Sequence, residues 1–547
     1  MSDLSHRPAE ITPAEARLVV QALAQNGGNV SATARALGVT RSKVKRRLRK
    51  ADAWGISAHG EIQATAARRL ETGGKVRRYL LTSAQSNTGI HAGFWGNLRA
   101  LADHYGAEIM VARIRYNHSE AQVAQEKVNR AAETELWYAP EVEPYLADER
   151  VEICPGLIWA GDMNILPTAV TPLSGLDSFT GTASCVFPHP QIALKSIATA
   201  PGTEAKFNYT TGAVTLKNYI KRKAGLKAEF HHAFGALLVE VTAQGIWFVR
   251  QINATDAGEI YDLNLRVDGG KVTSGHRLEV FTPGDIHGVK LDPEVAETVW
   301  GDGGMVDTLR PRHQVLNDVL NFGPRSHHNT FFDLVAALYN KADSVEDEIH
   351  DTATILNRMT RPWSKTYVVK SNHDEHLDRW VETADFRRDP FNAGFFLSAA
   401  AAKVEAIKRK DDGFDLAAWA FERAGLDPGI RFLSRHVHLE IAGVRHDQHG
   451  DLGPNGARGT AANIARTGAK ANIGHSHSAA ICHGCYQAGL FATLDMGYNR
   501  GPSSWSHSAI LTYRNGKRAI VTLRAGLWHA WSKNQTTGRK WKSSSQN

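Results

Sequence analysis

The chain has 547 residues, 42% hydrophobic content and a formal net charge of +8, which allows about two to four domains with a sizeable core. No apolar run approaches the roughly 18 residues that cross a bilayer, and the polar start MSDLSHRPAE lacks the apolar stretch of a secretory signal, so a cytoplasmic protein without membrane contact is expected. Four cysteines exclude a disulfide scaffold, and Cys482 and Cys485, with no second Cys-x-x-Cys pair to complete a zinc site, read as ordinary reduced residues.

Thr12, Pro13 and Glu15 form a capping box with proline at the first helical position, and Leu18, Val19, Ala22 and Leu23 follow at helical spacing. The pattern predicts a helix over about 12–25, a second short helix capped by Ser31 and running through Leu37, a turn at Gly38, and a third helix capped by Thr40. Seven of the ten residues from Arg41 to Lys50 are Lys or Arg, a block that suits a solvated face or an anionic partner. The stretch NVSATARALGVTRSKVKRRLRK from Asn29 to Lys50 resembles the helix-turn-helix of Fis-like DNA-binding domains. The resemblance implies a core of Ala34, Leu37, Val39, Val44 and Leu48. It places Arg41, Ser42, Lys43 and Lys45 near bases, and Arg46, Arg47 and Arg49 on phosphates. This gives a small all-α domain over 1–52, for which a dimer is a natural state, and a linker over 53–75.

Val76–Thr82 and Ala107–Ile114 read as strands around a helix that starts at Ser86 to Thr88 and ends near His104, a β-α-β unit. A helix is expected over about 120–135. The Pro-rich stretch 140–201 reads as irregular, and its Gly161, Asp162, Met163, Asn164 and His189 as structural. Together 76–230 reads as an accessory α/β region. Strands are expected at Gly235–Val241, Ile246–Ile252, Ile260–Val267 and Arg277–Phe281.

The last of these strands leads into Gly284, Asp285, Ile286, His287, Gly288. On an extended backbone, side chains two apart face the same way, so Asp285 and His287 can grip one ion. Such a tripeptide arises on the order of once by chance, so its meaning depends on partners. The arrangement recurs downstream. Gln314–Leu316 leads into Asn317, Asp318 and Asn321; Thr366–Val369 into Ser371, Asn372, His373 and Asp374; Leu439–Val444 into His446, Asp447 and His449; and Ala471–Ile473 into Gly474, His475, Ser476 and His477. Ligand sites in α/β folds lie at the carboxyl ends of strands, so these ends can converge.

In order and spacing these motifs resemble those of the calcineurin-like metallophosphoesterase superfamily. The resemblance implies a β-sandwich flanked by helices over 231–531. It makes Asp285, His287 and His477 ligands of one metal ion and Asn372, His449 and His475 ligands of a second, with Asp318 bridging. Mixed oxygen and imidazole ligation suits Mn²⁺, Fe or Zn²⁺, with Mn²⁺ the family-guided choice. His373 would protonate or electrostatically stabilise the leaving group, and Asp374 would orient His373 or cap the next helix. The pattern is departed from at Asn317 and Asn321, where the family has Gly and a second Asp, and at Ser371, where it has Gly. His446 competes with His449, which is preferred for its following glycine. His327 and His328 can reach substrate phosphate or serve as surface or capping residues.

The loop DMGYNRGPSSWSHS from Asp495 to Ser508, through Arg500 and His507, is expected to line the site. The basic tail 532–547 is expected to be disordered. The extended middle region and this loop also resemble a phage-encoded branch related to nucleases that degrade host DNA. A DNA-reading module tethered to a phosphodiester-cleaving centre raises the local DNA concentration there. The expectation is a two-metal DNA nuclease of phage origin in the host cytoplasm. The alternatives are a DNA-binding regulator with a scaffold phosphoesterase domain, and a nucleotide or phosphoprotein phosphatase.

Overall fold

The computed structural model describes residues 13–26, 29–53, 68–70, 73–116, 137–326 and 329–530. Thr12, the helix expected over about 120–135, His327 and His328, the tail 532–547 and most of the expected linker lie outside the described residues. The chain divides into two compact units, Met1–Arg68 and Arg69–Asn547. No helix among the described residues is long and apolar enough to cross a membrane.

The first unit has helices Pro13–Gln25, Val30–Ala36 and Arg41–Ala53. Val19, Ala34 and Val44 are buried together, with Val30, Leu37, Val39 and Leu48 packed against them. The second helix is capped by Asn29 rather than Ser31: the Asn29 side chain accepts from the N–H groups of Ser31 and Ala32, satisfying donors that the helix start leaves open. Gly38 turns the chain at φ +61°, a left-handed conformation that costs glycine little.

In the second unit, strands Ile430–Leu433, Lys365–Val369, His313–Asn317 and Val280–Thr282 run parallel, and Ser508–Thr512 and Arg518–Thr522 extend the sheet antiparallel. Strands packed on both faces need apolar side chains on each, and these supply them at alternate positions. Phe281, Leu316 and Val368 join a core built with helices such as Pro293–Trp300, Val345–Met359 and Glu375–Thr383. Their neighbours Val280, Val315, Val369 and Leu433 face the other way, against Val437, Leu439 and Ile441. Those last side chains lead into a second, eleven-stranded sheet that includes Val444–Arg445 and Ala471–Ile473.

The β-α-β unit forms, with Arg77–Gln85 parallel to Glu108–Ile114 around the helix Ala92–Tyr105, but that helix begins after the expected Ser86 to Thr88 and is capped by His91, whose ring accepts from the N–H of Phe94. The boundary expected at 230 does not divide the structure. Arg77–Gln85 pairs with Gly235–Val241 in one sheet, and Leu194–Ile197 pairs with Ala480–Cys482 in another. The stretch 140–201 is not irregular either: strands Arg150–Cys154, Leu157–Ala160, Ser184–Phe187 and Leu194–Ile197 lie within it, too short for their periodicity to stand out among the prolines. The single strand expected over Ile260–Val267 is a hairpin, because Leu263 turns at φ +52°.

Candidate metal centre

The parallel strands Val280–Thr282, His313–Asn317 and Lys365–Val369 all end on one side of their sheet, and the loops leaving them carry the expected residues. Among the described residues, Asp285, His287, Asp318 and His477 offer ligand atoms all within 4.8 Å of one another. His287 Nε2 is 3.0 Å from His477 Nε2, and His477 Nε2 is 3.3 Å from Asp285 Oδ2. A second group adjoins the first. His449 Nε2 is 3.3 Å from Asp318 Oδ2, His475 Nδ1 is 3.1 Å from Asn372 Oδ1, and the His449 and His475 ring centroids are 5.2 Å apart. Asp318 Oδ2, also 3.6 Å from His287 Nε2, is common to the two groups.

The backbone that achieves this is not extended. His287, Asp318, His475 and His477 have φ of 49°, 48°, 75° and 59°, a left-handed conformation that costs non-glycine residues energy and that clusters at functional sites. Asp285 and His287 therefore converge through a turn rather than along a strand face. Close packing also explains the glycine of the Gly-His-x-His motif: a Cβ on Gly474 would lie 2.1 Å from Asp285 Oδ1.

Asp285, His287, Asp318 and His449 are each at most 1% exposed, yet Asp285 Oδ1 and Asp318 Oδ1 have no hydrogen-bond partner. Buried polar atoms left unpaired cost about 1–3 kcal/mol each, a cost that a bound cation removes. Burial holds His287 well below its ordinary pKa, in the neutral form that ligates metals. Although burial opposes it, His449, His373 and His287 keep Asp318 ionised well below the usual carboxylate range, and Asp318 in turn raises His449. The donor set of carboxylate, amide oxygen and imidazole fits Mn²⁺, Fe or Zn²⁺ better than Ca²⁺.

His373 stands at the rim, its ring edge-on to His287 with centroids 4.6 Å apart. Asp374 does not orient it. The Asp374 carboxylate accepts from the backbone N–H of Leu320 and from the N–H and hydroxyl of Ser371, and makes no side-chain helix cap. The serine that replaces the motif glycine thus has a partner of its own. Burial and the Asp318 charge push the Asp374 carboxyl up to about 6. His373 Nδ1 instead meets the carbonyl of Asn321, the residue where the second aspartate of the motif is missing.

His449 rather than His446 reaches the centre. His446 is buried, and burial together with Arg518 lowers it to about 3. In the loop 495–508, His507 points its Nδ1 at the Leu490 carbonyl, and the groups nearest the ligands are Trp505 and Tyr498, two aromatic residues that no motif singles out. Trp505 packs on the His477 ring with centroids 4.4 Å apart. Another contribution with no signal in the sequence is Glu348, whose carboxylate accepts from the N–H groups of Phe322 and Gly323.

In the first unit, Arg41, Ser42, Lys43, Lys45 and Arg46 are exposed, as the expected DNA face requires. Arg47 instead pairs with Glu15 of the first helix, so it braces the domain, and the Arg49 side chain lies outside the described residues. Residues 11–50 match the family model described as bacterial regulatory protein, Fis family, which makes this segment a helix-turn-helix DNA-binding module. Protein A1 of Escherichia phage T5 is 37% identical to the chain over 472 residues, covering 83% of each protein. No solved structure matches.

Proposed function

The chain belongs to the family of Protein A1 of Escherichia phage T5, and from that premise we propose that it is a phage-encoded, two-metal-dependent phosphodiesterase that cleaves DNA in the host cytoplasm, directed by its helix-turn-helix module. One observation supports this reading: Asp285, His287, Asp318 and His477, from three separated segments, meet in a buried cluster of ligand atoms, with Asn372, His449 and His475 beside it. Asp285, His287 and His477 would hold one ion, Asn372, His449 and His475 the other, with Asp318 shared, in the arrangement of the metallophosphoesterase superfamily. A pair of divalent ions, Mn²⁺ first among them, would supply Lewis-acid neutralisation of a phosphodiester and a water of lowered pKa.

The protein's own part is to preorganise. The left-handed turns at His287, Asp318, His475 and His477 aim donors inward before any ligand arrives, so little reorganisation is left for the reaction itself. His373, held through Nδ1–H by the Asn321 carbonyl, would in its imidazolium form give the Nε2 proton to the departing oxygen and be left neutral. The exposed cations of the third helix favour a polyanionic partner through phosphate contacts, which supports DNA over small phosphomonoesters.

Incubation of the purified protein with plasmid and single-stranded DNA, with Mn²⁺ or with EDTA, tests the proposal. Metal-dependent cleavage of either DNA is expected, and its absence on both overturns it.

A further inference from the structure

The loop over the metal centre carries an aromatic pair that the hydrolytic reading does not use. Trp505 lies edge-to-face on the ligand His477, with centroids 4.4 Å apart at 80°. Tyr498 lies edge-on to Trp505 at 5.7 Å and remains 50% exposed. The arrangement is built in, because the N–H of Ser506 donates to the carbonyl of His477 at 3.3 Å and fixes Trp505 beside the ligand loop.

Behind Trp505 opens a cavity of about 810 Å³, lined among others by Asn499, Arg500, Ser503 and Trp505. That volume is within the range of small-molecule sites. Arg500 is exposed at its wall. Trp505 thus stands both beside the candidate ligand His477 and in the wall of a cavity that also presents a guanidinium.

We infer that Tyr498 and Trp505 form a stacking platform for an unpaired nucleobase next to the bond to be cut, so that the substrate is DNA single-stranded at the cleavage point. A base within a duplex is stacked on its neighbours and cannot offer its face to a side chain, whereas any unpaired base can stack on an aromatic ring whatever its sequence. The inference rests on the phosphodiesterase reading and specifies the substrate of that site.

The test uses the full chain, a single-stranded oligonucleotide, the same strand with one abasic position beside the cleaved bond, and the duplex form. Tyr498→Ala is expected to raise KM for the intact strand about 10-fold, the loss of one base–aromatic stack, with Tyr498→Phe close to wild type. The abasic position raises KM about as much for the wild type and adds little for Tyr498→Ala, and the duplex is the poorer substrate. Equal KM for wild type and Tyr498→Ala on the intact strand, or an equal abasic penalty in both, overturns the inference. Binding of the same strands to EDTA-treated protein, followed by fluorescence anisotropy, separates the two readings. If no strand is cut yet the Tyr498 and abasic effects on binding persist together, the stacking platform stands and the phosphodiesterase reading falls.

Discussion

His373 Nδ1 lies 3.2 Å from the carbonyl oxygen of Asn321, so an N–H at Nδ1 donates to that oxygen and Nε2 is the nitrogen left for substrate. His373→Gln is expected to lower kcat on DNA by about 10²- to 10⁴-fold, the range for a positioned general acid, with bound metal unchanged when measured by elemental analysis. Asp374→Ala removes the acceptor of Ser371 and Leu320 and should cost about 1–3 kcal/mol of stability, seen by urea unfolding. A kcat loss for Asp374→Ala as large as that of His373→Gln, with no change in unfolding, would return Asp374 to the chemistry.

Asp318 is shared by the two ligand groups, 3.3 Å from His449 and 3.6 Å from His287. Because a ligand that binds only the folded state raises stability by mass action, Mn²⁺ added to EDTA-treated protein should raise Tm. Asp318→Asn should abolish both that rise and DNA cleavage. A Tm that ignores Mn²⁺ in the unaltered protein would sink the metal centre independently of any activity.

The candidate ligands were legible in the sequence because they follow short apolar strands, whose carboxyl ends are where ligand sites gather. The turns that aim them were not: His287 at φ +49° is unusual for histidine, and nothing beside it in the chain signals the conformation. Likewise Arg47 belongs to the same basic run as Arg46, but only the tertiary approach of Glu15 takes it from the DNA face. Glu348 and Trp505 act through contacts made across long stretches of chain, which no local pattern encodes.

The DNA face should therefore divide. Lys45→Ala and Arg46→Ala are expected to weaken duplex binding, each lowering the slope of log affinity against log salt by about 1, with unfolding unchanged. Arg47→Ala should instead lower the stability of the helix-turn-helix through loss of the Glu15 pair. Salt titrations of all three variants beside circular dichroism melts decide the matter. An unchanged salt slope for Lys45→Ala and Arg46→Ala would take these residues off the DNA.

Glu240 is 1% exposed and accepts from Arg78 at 2.8 Å and Arg250 at 2.5 Å, while Arg250 also reaches Asp262. Burial opposes ionisation here, yet the two arginines hold Glu240 at about 2 against an ordinary 4.5. A carboxyl depressed on folding adds stability above its unfolded pKa and loses it as pH falls through the folded one. The stabilisation is therefore full above about pH 5 and disappears towards pH 2, with an amplitude of about 3 kcal/mol. Glu240→Gln removes the carboxylate that Arg78 and Arg250 share and should cost about 3–5 kcal/mol near neutrality. Urea unfolding across this pH range should show the difference between the proteins shrinking as acid is added; a constant difference contradicts the assignment.

Glu348 has the opposite sign. It is 7% exposed, and burial raises its carboxyl from 4.5 to about 7 although the N–H groups of Phe322 and Gly323 donate to it. The folded state keeps this proton longer than the unfolded chain does, so the contribution of Glu348 to stability falls as pH rises from about 4.5 to 7, by about 3 kcal/mol. That side chain nonetheless holds the turn in which Phe322 takes φ +56°, and the neighbouring Asn321 carbonyl fixes His373. Glu348→Gln replaces one acceptor with an N–H donor facing a backbone N–H, so the turn must shift. The expected result is a protein whose stability no longer declines over that pH range, but whose kcat on DNA is lower by about 10- to 100-fold through a misplaced His373. KM and Mn²⁺ affinity should stay near wild type, because no ligand atom moves directly. A variant with altered Mn²⁺ affinity and normal kcat would show that Glu348 supports Asp318 rather than His373.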